Sequence, residues 1–211
     1  MLKIASWNVN SLNVRLPHVL AWCDMATPDV LALQETKLVD ERFPADELIE
    51  AGYHSVYSGQ KTYNGVAILS REPATDTVTD IDGLDDPQRR ILAATIGGVR
   101  IIDLYVVNGS EVGSDKYAYK LHWLEQVTKF IAREMQHHDK VVVLGDFNIA
   151  PDDRDVHDAE AWHERILCST PEREALQRIL DLGLVDTFRL FEQEEKTWSW
   201  WDYRAAAFRR N

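Results

Sequence analysis

The sequence predicts an α/β fold with mixed strand pairing, and three features carry that prediction. Short apolar runs of strand length recur along the chain, helical periodicities separate several of them, and between Tyr53 and Val107 the strands follow one another without a helix. Strand–helix–strand succession implies parallel neighbours, whereas uninterrupted strands imply antiparallel hairpins or meanders, so a mixed sheet is expected. Two sheets packed face to face with helices outside hold this pattern, and so does a three-layer sandwich.

Taken in order, strands are expected over 2–7, 30–33, 66–70, 91–96, 99–107 and 141–144. A helix over 12–25 follows from Leu16, Val19, Leu20 and Cys23 on one face, with Pro28 just beyond it as a stop. A longer helix runs from a cap at Ser114 to His138, its stripe formed by Leu121, Leu124, Val127, Ile131 and Met135 and widened by Trp123 and Phe130. A third helix takes Thr170 as cap and Pro171 in its first turn, buries Leu176, Ile179 and Leu180, and ends before Gly183.

With 211 residues, 45% of them hydrophobic and 27% charged, the chain can bury a core of its own, and one domain over 1–211 is the expectation. The 23 Lys and Arg against 35 Asp and Glu give a formal charge of −12, which excludes a broad basic surface for wrapping DNA. Any polyanion must be gripped locally. Cys23 and Cys168 are isolated, so neither a disulfide framework nor a zinc site is expected, in keeping with a reducing cytoplasm. No run reaches the roughly 18 apolar residues of a membrane span, and no membrane partner is expected.

Three segments share one design, an apolar strand followed by polar residues where the strand runs out. The first strand leads to Asn8 and Asn10, the second to Gln34, Glu35 and Thr36, and the last to Gly145, Asp146, Phe147 and Asn148. As neighbours in one sheet they would converge on a small site of hard oxygen donors, suited to magnesium or manganese and not to zinc. Taken singly, each piece has a plainer reading: Asp146 and Asn148 as a turn bonding nearby backbone, Glu35 as a solvated strand end. The seven histidines lie outside these segments, and His137 and His138 close a helix where cations favour the dipole.

The wording of these segments resembles the exonuclease III family of the endonuclease/exonuclease/phosphatase superfamily. ASWNVNSL at 5–12 and PDVLALQETKL at 28–38 are similar to its first two motifs, and YNGVAILSR at 63–71 to the strand beyond. QRRI at 88–91, YVVNGS at 105–110, KYAYKLHWL at 116–124, VVVLGDFNIAP at 141–151, LGLVDTFR at 182–189 and SWWDYR at 199–204 follow in family order. The resemblance implies a four-layered α/β sandwich of two mixed sheets with flanking helices. It also implies a magnesium-dependent DNA phosphodiesterase, with manganese able to substitute, that cleaves 5′ to abasic sites and removes nucleotides from 3′ ends.

On the matching positions, the resemblance makes Glu35 the metal-binding carboxylate, with Asn8 supporting metal or phosphate. Asp146 orients or deprotonates the attacking water, and Asn148 bonds the scissile phosphate; both also stand in the implied metal set. Tyr105 reaches a phosphate oxygen or the leaving group, Asn108 and Arg90 contact DNA, and Trp200 and Trp201 wall a pocket for a base-free sugar. Such a sugar is cheap to extrude because no base need be unstacked. Arg204, Arg209 and Arg210 follow as a local basic patch.

The family pattern continues past Asn211 with further Asp- and His-containing blocks and the strands that carry them. From that, the expectation is a chain incomplete at its C-terminal side and nearly inactive, because groups that act as a unit lose orders of magnitude when some are removed. Val107 stands where the family usually has proline. A monomer acting on double-stranded DNA is expected. The alternatives are a catalytically inactive DNA-binding fragment and a superfamily phosphoesterase acting on phosphoinositide or sphingomyelin.

Overall fold

Val30–Gln34 is buried at every position, which is why it reads as one apolar run and not as an alternation: both of its faces are covered. The structure, a computed structural model, describes residues 2–81, 83, 84 and 86–199. Trp200, Trp201 and the Arg-rich tail lie outside the described residues.

The elements are β1 (Ile4–Asn8), α1 (Leu12–Ala26), β2 (Val30–Gln34), α2 (Ala45–Glu50), β3 (His54–Ser58), β4 (Val66–Ser70), β5 (Thr75–Val78), β6 (Ile91–Ile96), β7 (Val99–Tyr105), α3 (Asp115–His137), β8 (Val141–Asp146), α4 (Ala159–Trp162) and α5 (Thr170–Leu180). Two four-stranded sheets result, ordered β1-β2-β4-β3 and β5-β6-β7-β8. Each is mixed. β1 runs parallel to β2, and β7 parallel to β8, while the remaining pairs are antiparallel. The parallel pairs are those with a helix between their strands, α1 in one case and α3 in the other, as a parallel crossover requires.

The chain forms two compact units, Met1–Val106 with Lys129–Phe147, and Val107–Thr128 with Asn148–Asn211. The first holds both sheets. Val30, Ala32, Val66 and Ile68 of one sheet and Leu92, Ala94, Ile96 and Ile101 of the other share one core. On the other face of the first sheet, Leu31, Leu33, Ala67 and Leu69 pack with Leu12, Val19 and Cys23 of α1. Alternate residues of β2 thus serve two cores, and two mixed sheets with flanking helices are the architecture. In the second unit, Ala150, Val156, Leu167 and Cys168 form a smaller cluster.

Local details follow from particular residues. α3 buries Trp123, Leu124, Val127, Phe130 and Ile131, while Leu121 and Met135 at the ends of the expected stripe are only half-buried. α5 takes Ser169 as its cap in place of the expected Thr170. The reason is a reciprocal box: Ser169 accepts from the backbone N–H of Glu172, and the Glu172 carboxylate accepts from the Ser169 N–H. β3 and β5 were not individually legible. β5 is short and largely exposed, so it carries no apolar alternation.

Gly145 precedes Asp146 at φ 134°, and a Cβ there would lie 1.9 Å from the Leu104 carbonyl oxygen on the neighbouring strand. Only glycine lets β8 lie this close to β7. Gly145→Ala is expected to destabilise the chain by about 2–4 kcal/mol, read as a lower urea midpoint; a loss below about 1 kcal/mol would show that the two strands separate freely here.

Candidate active site

The register aligns the carboxyl ends of both parallel pairs, Asn8 opposite Gln34 and Tyr105 opposite Asp146. In open α/β sheets that end is where ligands bind. Beyond it the chain continues in loops stitched by backbone bonds: Val9 N–H to Gln34 O at 3.0 Å, Ser11 N–H to Glu35 O at 2.7 Å, and Lys37 N–H to Asn64 O at 2.9 Å. These bonds hold Asn10, Ser11, Glu35 and Lys37 at positive φ. Left-handed backbone at non-glycine residues costs about 1–3 kcal/mol each and persists where surrounding structure enforces it.

At the centre, the Asn8 side-chain amide donates to Glu35 Oε1 at 2.9 Å and to Asp146 Oδ2 at 2.8 Å. Two carboxylates 111 positions apart in sequence are thus held on one donor group. The Asn8 oxygen accepts from the Asn10 N–H at 3.0 Å. In this arrangement the Asn8 side-chain N–H groups face both carboxylates, while its oxygen meets the Asn10 backbone.

Lys37 Nζ lies 2.8 Å from Glu35 Oε2 and donates to Asn10 Oδ1 at 2.6 Å. Burial pushes the Glu35 carboxyl up, but the hydrogen bonds from Lys37 and Asn8, with the Lys37 charge, outweigh it and hold Glu35 below the usual carboxylate range. Glu35 is therefore ionised at neutral pH. The Tyr105 hydroxyl has its pKa driven far up, first by burial and then by the Glu35 charge against the opposing Arg90. It remains a phenol, able to donate.

Arg90 lies over the Tyr105 ring at 4.5 Å, donates to the Tyr105 carbonyl at 3.2 Å and to Gln88 Oε1 at 2.9 Å. Its contacts bear on Tyr105. In the second unit, Asn108 Nδ2 donates to Asn148 Oδ1 at 3.3 Å, and Asn148 has φ 47°. The structure thus gathers Asn8, Glu35, Tyr105, Arg90 and Asp146 in the first unit and pairs Asn108 with Asn148 in the second. Lys37 was missed as a site residue, although its place two positions after Glu35 was in the motif.

The donor set suits a hard divalent cation. Two carboxylates share one donor, and the described residues contain no cluster of three His, Cys, Asp or Glu side chains able to cage a metal. Magnesium is commonly held by one or two carboxylates, with waters and substrate phosphate completing its shell. Glu35 and Asp146 are the carboxylates that would hold a divalent cation.

The profile of the endonuclease/exonuclease/phosphatase family matches residues 5–211. The chain belongs to this family. It is 34% identical to exodeoxyribonuclease III of Haemophilus influenzae, over all of this chain and 84% of that protein. Among solved structures, a 3′ phosphatase from Neisseria bound to product DNA hairpin is 51% identical, with TM-score 0.97 over 100% of this chain and 82% of that one. An AP endonuclease from Archaeoglobus fulgidus is 38% identical, with TM-score 0.93 over the same shares. The exonuclease III resemblance read from the motifs is thus carried by whole-chain relatives, and this family member is a hydrolase of the nuclease class.

Lys37→Met is expected to remove about 1 kcal/mol of stability at neutral pH. Because the folded Glu35 carboxyl sits below its ordinary value, the pair contributes fully above that ordinary value and is lost as pH falls through the folded one. The gap between wild type and variant in urea melts should therefore close in acid; a gap that widens there would contradict the assignment.

Proposed function

We propose that this protein is a divalent-cation-dependent DNA repair phosphoesterase that hydrolyses phosphodiesters at 3′ ends and 5′ to abasic sites, acting as a monomer in the cytoplasm. The observation that carries the reading is the Glu35–Asn8–Asp146 arrangement at the strand ends. Phosphodiester hydrolysis needs an acceptor for the proton of water and donors for charge that develops on oxygen. Asp146 is the acceptor, and Asn8 keeps it oriented. Tyr105, held as a phenol, is a donor toward phosphate or leaving oxygen, and Asn148 is a second donor by its place in the family motif.

Magnesium on Glu35 and Asp146 would neutralise phosphate charge and orient the leaving oxygen. It would also relieve the repulsion between two carboxylates sharing one amide. A second reading, hydrolysis of a 3′-terminal phosphate monoester, is favoured by the identity above one half with the Neisseria 3′ phosphatase. Both readings use the same groups and break the bond from phosphorus to the DNA 3′ oxygen; they differ in whether the phosphate released carries a nucleoside or is inorganic phosphate.

The test compares duplexes carrying an abasic site, a recessed 3′ hydroxyl or a 3′ phosphate, with magnesium and with chelator, beside a phosphoinositide. Magnesium-dependent turnover of at least one DNA substrate and none of the lipid is expected. Asp146→Asn should lower kcat about 10²–10⁴-fold with an unchanged melting temperature. Unaltered turnover in that variant, or release of lipid phosphate alone, would refute the proposal.

A further inference from the structure

Lys120 and Glu172 are both fully buried and form an ion pair in the second unit. Lys120 Nζ also donates to the Asn148 carbonyl at 2.6 Å and the Asn108 carbonyl at 3.2 Å. Glu172 Oε1 accepts from the Leu167 N–H at 3.1 Å, while Oε2 accepts from the Ser169 N–H at 3.2 Å and the Ser169 hydroxyl at 2.6 Å. A buried charge pair persists only when such additional bonds offset the loss of water. Here they are present on both sides.

The placement is specific. Asn108 and Asn148 are the two residues whose amides pair with each other, and the lysine grips the backbone of both. Loop carbonyls outside a strand ladder need such a partner once buried. The loop is also close-packed on the lysine stem: Gly109 has φ 89°, and a Cβ there would lie 3.0 Å from Lys120 Cδ and 2.9 Å from Ile166 Cδ1. With no exposed surface, Lys120 cannot touch DNA itself.

We propose that Lys120 is a positioning residue: from its buried pair with Glu172 it anchors the backbone of Asn108 and Asn148 and so aligns their side-chain amides for substrate phosphate. The proposal rests on the DNA phosphoesterase reading above. A methylene stem and one ammonium set two loops at once, which explains why an expensive buried charge stands where an apolar residue would pack.

The test uses the full chain as Lys120→Met and as the double variant Lys120→Met/Glu172→Met, which removes the lone buried acid left by the first. Amide hydrogen exchange is followed at 107–110 and 147–150, and kcat and KM are measured on the DNA substrate that wild type turns over best. Both variants should exchange about tenfold faster in these loops and lose about tenfold or more in kcat with KM nearly constant, as for a lost transition-state contact. The double variant should regain thermal stability without regaining kcat, and it carries the test if the single variant does not fold. Loops as protected as in wild type, or kcat returning together with stability, would overturn the proposal. Should wild type turn over no DNA, the phosphoesterase reading falls, and unchanged exchange in these loops would still refute the anchoring by Lys120.

Discussion

One amide group, the side-chain nitrogen of Asn8, is shared between the carboxylates of Glu35 and Asp146, and the arrangement of the strand ends in the first unit depends on that sharing. Two like charges brought together repel unless a donor or a cation lies between them. In a chain with formal charge −12 the repulsion is not relieved by a general excess of basic residues. Asn8 and Lys37 supply local relief, Asn8 to both acids and Lys37 to Glu35. The outcome is a pair of carboxylates, Glu35 held ionised, arranged before any cation or phosphate arrives.

The fold exists to bring those side chains to one end. Two parallel crossovers, β1-α1-β2 and β7-α3-β8, each deliver two strand ends side by side, so Asn8 with Glu35 and Tyr105 with Asp146 arise from the same topological device used twice. The shared core of Val30, Ala32, Ile68, Leu92 and Ala94 fixes the two sheets against each other. Close-packed interiors transmit small displacements, so this core is also what keeps Asn8 within reach of both carboxylates.

Much of this was legible in the sequence because strand ends announce themselves. Glu35 and Asp146 each stand two positions after the last residue of an apolar run, and 66–70 and 91–96 match β4 and β6 to the residue. The motifs fixed the family for the same reason: backbone that must turn sharply into a site tolerates few residue types. What could not be read were partnerships between distant positions. Asn8 was legible as a polar strand end, but not as a donor to two acids. Lys120 lies on an otherwise amphipathic helix, and its acid partner is 52 positions away. Ser169 displaced Thr170 as a cap because Glu172 answers it. Short exposed β5 left no pattern, and Trp200 and Trp201 fall outside the described residues.

The claim that Asn8 assembles Glu35 and Asp146 into a cation site is tested most directly by manganese binding, followed by electron paramagnetic resonance in the absence of DNA. Wild type should bind Mn²⁺ competitively with Mg²⁺, and Asn8→Ala, which leaves both carboxylates in the chain, should bind about 10–100-fold more weakly. Equal affinity in wild type and Asn8→Ala would contradict the account, because the carboxylates would then need no shared amide to meet.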